Sequence, residues 1–193
     1  MRRLAYFFLI VAPIFTANAQ TAGTVTDTRD GKVYKTVKIG SDEWMSENLN
    51  YQVRGSFCYE DKAENCETYG RIYTWPMLMM NSSKEAGRGI CPEGWHVPTD
   101  AEWTKLDRMA KKAKDLSVGG RTGFNLQFAG SRFTEGNYGF LGQCATYWTS
   151  TEDEENSKFA WTRYIYHDKL YKNTERYSTN KMYGQSVRCI KTK

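Results

Sequence analysis

The chain has 193 residues, a formal net charge of +5 at neutral pH, 15% aromatic residues and 4 prolines. That length suits one domain with a sizeable core, and the aromatic content excludes a disordered linker. The positive excess is too small, and the lysines too scattered, to argue for a nucleic-acid partner.

Arg2 and Arg3 precede an apolar run from Leu4 to Phe15 and then Ala17-Asn18-Ala19, the small-x-small shape that signal peptidase cleaves. Residues 1–19 are therefore expected to be a signal peptide and 20–193 a single exported domain, periplasmic, cell-surface or secreted. The apolar run is too short to span a bilayer, and no cysteine stands near the cleavage point to take a lipid. No membrane insertion is expected once the segment is removed.

Export places Cys58, Cys66, Cys91, Cys144 and Cys189 in an oxidising compartment, where two bridges and one leftover thiol are expected. Cys58 and Cys66 are close enough to close a local loop, and Cys91 could join Cys189, which leaves Cys144 as the free thiol; the sequence alone leaves this pairing open. Such loops would contribute about 2.6 and 4.7 kcal/mol respectively in the chain-entropy picture, before strain. A metal site is the rival use of the cysteines. With no C-x-x-C pair, and only His96 and His167 as imidazole donors, none is expected.

Taken in order, the runs at 24–27 and 32–39 read as a hairpin about the Thr28-Arg29-Asp30-Gly31 turn, with a further short strand at Trp44-Met45. Residues 46–70 look irregular, and a Cys58–Cys66 bridge there would be structural. A β-rich run follows at 69–75. Pro76 then opens a short buried helix to about Ser83, whose methionines suit an irregular core better than a copper site. In Cys91–Trp103, CPEGWHVPTDAEW, Thr99 and Glu102 have capping-box spacing. The helix they start, from Asp100 to about Leu116, carries Trp103, Leu106, Ala110 and Ala113 as one apolar stripe, with Gly119-Gly120 as its stop. Its basic face is a solvated surface or a dock for an acidic partner.

Beyond Arg121, residues 124–128 alternate in polarity, and Gly130, Gly136, Gly139 and Gly142 punctuate a loop lacking P-loop spacing. Strands are expected at 147–151 and 159–166, around the acidic turn 152–155, and a last short one at 186–190. The polar, aromatic stretch 169–185 between them is expected to be a long surface loop or hairpin. Trp75, Trp95, Trp103 and Trp148 lie in the most patterned segments and are assigned to the core.

The motifs DGKVYKTVKIGSDEWMSENLNY, CYEDKAENCETYGRIYTW, CPEGWHVPTDAEW, FAGSR, YWTSTE and SVRCIK closely resemble the Fibrobacter succinogenes major paralogous domain, from about Gly31 to Lys191. More distantly, WHVPTDAEW and VRCIK look like stretches of the formylglycine-generating enzyme and sulfatase-modifying factor superfamily, which has a modified C-type-lectin-like fold. The resemblance implies an α+β, C-type-lectin-like module, two helices packed on short irregular antiparallel sheets and stapled by disulfides. It implies no established reaction. The Glu-Pro-Asn, Gln-Pro-Asp and Trp-Asn-Asp tripeptides of calcium-dependent lectins do not occur, so calcium-bridged sugar binding is not expected and no cofactor is assigned. The formylglycine-generating enzymes hold Cu(I) with a pair of neighbouring cysteines, whereas here Cys144 would stand alone.

The favoured reading is a non-catalytic binding module that recognises a polysaccharide or cell-surface protein. Aromatic faces pack on sugar rings, and amides and guanidinium groups bond hydroxyls. Tyr171, Arg176, Tyr177, Asn180 and Tyr183 are the candidate ligand-binding residues, each with the alternative of a merely solvated or sheet-facing side chain. The competing reading is an enzyme using Cys144 as thiol nucleophile or copper ligand, which needs a lowered thiol pKa. No catalytic residues are assigned, because neither Gly-x-Ser-x-Gly nor His-Glu-x-x-His is present and Glu152-Asp153 sit in a charged turn.

Overall fold

The structure, a computed structural model, describes residues 22–193. The expected signal peptide lies outside the described residues. In chain order come β1 (Ala22–Thr26), β2 (Val33–Ile39), β3 (Asp42–Met45), α1 (Ala63–Tyr69), α2 (Trp75–Leu78), β4 (Trp95–His96) and α3 (Asp100–Ala110). The hairpin of β5 (Ala129–Arg132) and β6 (Tyr138–Leu141) follows, then β7 (Cys144–Glu152), β8 (Phe159–Tyr166), β9 (Glu175–Asn180) and β10 (Ile190–Lys191). Three antiparallel sheets result: one of five strands ordered β1-β2-β3-β10-β4, the β5-β6 pair, and β7-β8-β9. The fold is thus α+β, with short antiparallel sheets, few helices and two disulfides.

The first hairpin forms where its turn chemistry says it should. Asp27 accepts from the Arg29 backbone N–H at 3.1 Å and from its Nη2 at 2.6 Å, while Gly31 takes φ 75°. Burial disfavours the Asp27 charge, but the Arg29 hydrogen bonds, aided by the charges of Arg29 and Arg88, outweigh it and hold the carboxyl below its ordinary range.

The α3 start is as its sequence spells it: the Thr99 side chain accepts from the Glu102 amide, and the Glu102 carboxylate accepts from the Thr99 N–H at 2.8 Å. Its end is earlier than the glycine pair implied. Lys111 adopts φ 67°, which stops the helix at Ala110, and Arg121 Nη2 donates to the carbonyls of Met109 (2.6 Å) and Ala110 (2.9 Å). Ala113 and Leu116 still reach the core, through a separate 3-10 turn at Ala113–Leu116.

Other expectations are corrected. The described residues hold three α-helices, not two; α1 lies in a stretch read as irregular because its sole buried residue is Cys66, leaving no apolar stripe to read. α2 stops at Leu78, well short of Ser83, with Met80 already in a left-handed conformation at φ 54°. The run before it contributes only single bridges, Phe57 to Ile72 and Tyr73 to Gln185. Asn125, at φ 54°, breaks the alternating 124–128 segment, so Leu126 makes only a bridge to Ser117. The glycine-punctuated loop is the β5-β6 hairpin. Gly130 is needed there because its φ is 68° and a Cβ would collide with the Gly139 carbonyl. The stretch 169–185 contains β9, the third strand of a sheet.

Two clusters form the core. One gathers Trp75, Trp95 and Trp148 beside Cys91 and Cys189; the other gathers Trp44, Trp103, Phe124 and Tyr147, whose rings meet mostly edge to face. The segment from Gln185 to Lys191 runs between them. Its carbonyls accept from Tyr73 (3.0 Å), Trp148 (3.1 Å), Leu49 (3.0 Å) and Met45 (3.0 Å) in turn. Each residue serves a different neighbour, which is why only Ile190–Lys191 forms regular strand where a longer one was expected.

Candidate functional site

Strand geometry decides which side chains can act together. Along β8 and β9 successive residues face opposite sides of the sheet, and cross-strand partners share a side. The register pairs Thr162 with Tyr177 and Arg163 with Arg176. Tyr164, Tyr166 and Tyr177 therefore occupy one face, and Trp161, Arg163 and Arg176 the other.

The second face packs on α3. Arg163 is 4% exposed and donates to Asp100 Oδ1 (2.5 Å), Thr104 Oγ1 (2.8 Å) and Asp107 Oδ2 (3.3 Å). Burial pushes the Asp107 carboxyl above its ordinary range despite that cation. Arg176 lies 3.2 Å from the Trp161 ring centroid and bonds Asp100 Oδ2 at 2.8 Å. These groups border an open acidic trough of about 670 Å³ with Glu85, Asp153, Glu154 and Glu155. The exposed face of Trp161 is already taken by Arg176.

The first face is partly covered. Over β7, Ser131 of β5 meets Thr146 at 3.0 Å, and Thr146 donates to the Gly130 carbonyl at 2.8 Å, so the β5-β6 hairpin caps that half. Over β8 and β9 the face stays open as a depression of about 540 Å³ walled by Tyr164, Tyr166, Tyr177, Thr179, Tyr183 and Thr134; Phe159, Ser178 and Asn180 also line it, although the register assigns them to the opposite side of the sheet. Tyr164 meets Tyr177 edge to face, centroids 5.1 Å apart, and Tyr183 meets Phe133 at 5.8 Å. Gln185 Nε2 donates to the Tyr164 hydroxyl at 3.2 Å. Burial pushes the Tyr164 phenol up to about 12, and a hydrogen bond to Glu175 pushes Tyr177 up to about 12 as well. Both phenols stay neutral at physiological pH. The depression thus presents ring faces with hydroxyl and amide groups, and lies within the size range of small-molecule sites.

Three of the five candidates, Tyr177, Asn180 and Tyr183, line this depression. Arg176 is on the opposite face, and Tyr171, 75% exposed, stands apart with Lys114 Nζ 5.2 Å from its ring centroid. Tyr164, Tyr166 and Phe159 were missed, although the Tyr-x-Tyr alternation in β8 was a readable signal of one shared face.

Cys58 is bonded to Cys66 and Cys91 to Cys189, and Cys144 is free and buried. Burial, the largest effect, pushes the Cys144 thiol up to about 12, so it lacks the lowered pKa of a thiolate nucleophile. Among the described residues no group of three or more His, Cys, Asp or Glu side chains could hold a metal ion, and no helix is long and apolar enough to cross a membrane.

Sheets, helices and bridges together define a disulfide-tied α+β module that carries a tyrosine-walled recess on its three-stranded sheet. The chain belongs to the Fibrobacter succinogenes major domain family, whose model matches residues 37–191. No curated protein and no solved structure is matched by the chain.

Proposed function

We propose that the protein is an exported, non-catalytic binding module of the cell envelope or secretions, and that it holds a polysaccharide in the tyrosine-walled depression. The observation that carries this reading is the depression itself: four tyrosines and two threonines converge on one open face from β8, β9 and the segments beside them, with Asn180 at the end of β9. Ring faces cover the apolar faces of sugars, and neutral hydroxyls and amides both donate and accept, as sugar hydroxyls require. Two disulfides fit an oxidising compartment. A C-type-lectin-like arrangement, distantly related to the formylglycine-generating enzymes, accords with short antiparallel sheets whose loops are free to vary. The copper or thiol enzyme alternative draws no support from Cys144, which is buried.

Co-sedimentation with insoluble cellulose, xylan, mannan and peptidoglycan, beside pull-down from envelope extract, tests the reading. Retention on at least one polysaccharide, weakened by Tyr177→Ala, is the expected result. Retention of envelope proteins alone, with no polysaccharide bound, would replace the glycan with a protein ligand.

A further inference from the structure

The tyrosine-walled depression does not end at Tyr166. That side chain is also a wall of a second depression, about 310 Å³, completed by Phe140, Gly142, Gln143, His167 and Asp168. The opposite sides are connected too: Tyr183 meets Phe133 at 5.8 Å, and Phe133 meets Phe140 at 5.8 Å. One side is therefore the tyrosine-bearing face of strand β8, from Ala160 to Tyr166, and beyond it stand Tyr183 and Phe140, linked through Phe133, which itself lines neither depression. By strand rise that β8 side is about 20 Å long, far longer than one sugar ring. Phe140 is 43% exposed and sits at φ 68°, a left-handed conformation that a bulky residue rarely adopts and that places an aromatic ring at the rim of the second depression.

We infer that the two depressions are one continuous cleft, and that its occupant is a linear, uncharged glycan chain several sugars long and not a single terminal sugar. This rests on the polysaccharide reading above and adds the shape and charge of the ligand. A terminal sugar calls for a closed pocket of one ring's size; an open trough with rings spaced along it binds successive units of a chain. The absence of charge follows from the walls. Among the described residues, the first depression is lined by no Arg, Lys, Asp or Glu. The ions that touch the lining residues from outside are carboxylates already engaged, Glu175 by Tyr177 and by Lys169 at 3.0 Å, Glu135 by Thr134 at 2.6 Å and Asp153 by Ser178, together with Lys169, 4.5 Å from the Tyr166 ring centroid; the second depression adds only His167 and Asp168. An acidic polymer would need an Arg or Lys clamp that neither depression supplies. A proline-rich peptide also stacks on aromatic grooves, but it presents carbonyl acceptors without matching donors, whereas these walls carry groups that do both.

Calorimetric titration of the purified protein with cello-, xylo-, manno- and laminari-oligosaccharides, each from a single sugar to a hexamer, together with a polyproline peptide, tests the proposal. In the series that binds, affinity is expected to rise about tenfold or more between dimer and pentamer. Phe140→Ala should erase that gain and leave the dimer unchanged, Phe140→Tyr should restore it, and Tyr177→Ala should weaken every length. Equal affinity for short and long oligomers, or indifference to Phe140→Ala, would overturn the extended cleft while the polysaccharide reading stands. Tight binding confined to uronic-acid polymers would overturn the neutral-ligand part. Binding of polyproline with no oligosaccharide bound would overturn both readings.

Discussion

Arg176 and Tyr177 are neighbours in sequence and face opposite sides of the β7-β8-β9 sheet: Arg176 is stacked 3.2 Å from the Trp161 ring centroid above α3, while Tyr177 meets Tyr164 at 5.1 Å in the open depression. Adjacency in the chain is thus separation in space, and the two side chains cannot serve one ligand. Arg176 is held by structural contacts, and Tyr177 is left facing the depression proposed to bind.

Substitution separates these roles. Tyr177→Ala is expected to lower affinity for the proposed glycan about tenfold, with the melting temperature nearly unchanged, because Tyr177 is 43% exposed. Arg176→Ala should keep affinity within about twofold and cost about 0.5–1 kcal/mol of stability, through the lost ring contact and the screened ion pair with Asp100. Titration calorimetry beside denaturant unfolding checks both. Comparable losses of affinity in the two variants would refute the division.

Arg188 supports the fold from inside. Its guanidinium is wholly buried and lies 4.4 Å from the Phe124 ring centroid, and it donates to Asn48 Oδ1 (2.8 Å), the Asn125 carbonyl (2.7 Å) and the Phe124 carbonyl. Burial, its largest influence, holds its pKa below the ordinary guanidinium range. Arg188→Met would fill much of the volume but orphan those acceptors, a loss of about 3 kcal/mol or more. Arg188→Lys should fare little better, since an ammonium cannot reproduce the planar fork. Urea midpoints measure the effect, and a Met variant as stable as the parent would show that the network is dispensable.

These two cases show what the sequence discloses. Where a local rule suffices, as for the Thr99–Glu102 cap, the Asp27–Gly31 turn or the apolar stripe of Trp103, Leu106 and Ala110, it is legible residue by residue. The aromatic-rich tail with Tyr177 and Tyr183 was visible as a candidate surface, but the register that throws Arg176 to the far side depends on β9 pairing with β8, and a polar, weakly periodic strand announces neither. Arg188 was similarly hidden: its partners lie at Asn48 and at 124–125, brought together only by the threading of the last segment. α1 escaped notice because a bridge and not an apolar face anchors it.

The two disulfides should differ in weight. Cys91 and Cys189 are separated by 98 residues and tie the CPEGW loop to the threaded last segment, while Cys58 and Cys66, 8 apart, close one local loop. Removing each pair by double Cys→Ala substitution should cost about 4.7 and 2.6 kcal/mol respectively on chain-entropy grounds. The larger figure would be augmented by cavities, as Cys91 and Cys189 are fully buried. Guanidinium unfolding under non-reducing conditions gives both values. The reverse order would mean that strain or residual unfolded structure, not loop closure, controls their contribution.

Acid should act on the start of α3. The Glu102 carboxylate accepts from the Thr99 N–H at 2.8 Å and faces His96 Nε2 at 3.0 Å, while His96 Nδ1 meets Thr192 Oγ1 at 3.1 Å; Lys193 contributes a further positive charge nearby. Burial works against the Glu102 charge, but the His96 and Thr99 hydrogen bonds outweigh it, so its pKa lies below the ordinary 4.5. A depressed carboxylate pKa means that the unfolded chain takes up the proton first as pH falls. The contribution is therefore complete above the ordinary value and is lost progressively as the pH drops below it towards the folded-state pKa. Glu102→Gln should cost about 1 kcal/mol at pH 7, since the amide oxygen can still accept from Thr99 without charge assistance, and the variant should lose less than the parent between pH 5 and pH 3. Urea unfolding of both proteins across that range is the measurement, and parallel pH profiles would show that the carboxylate is not linked to stability.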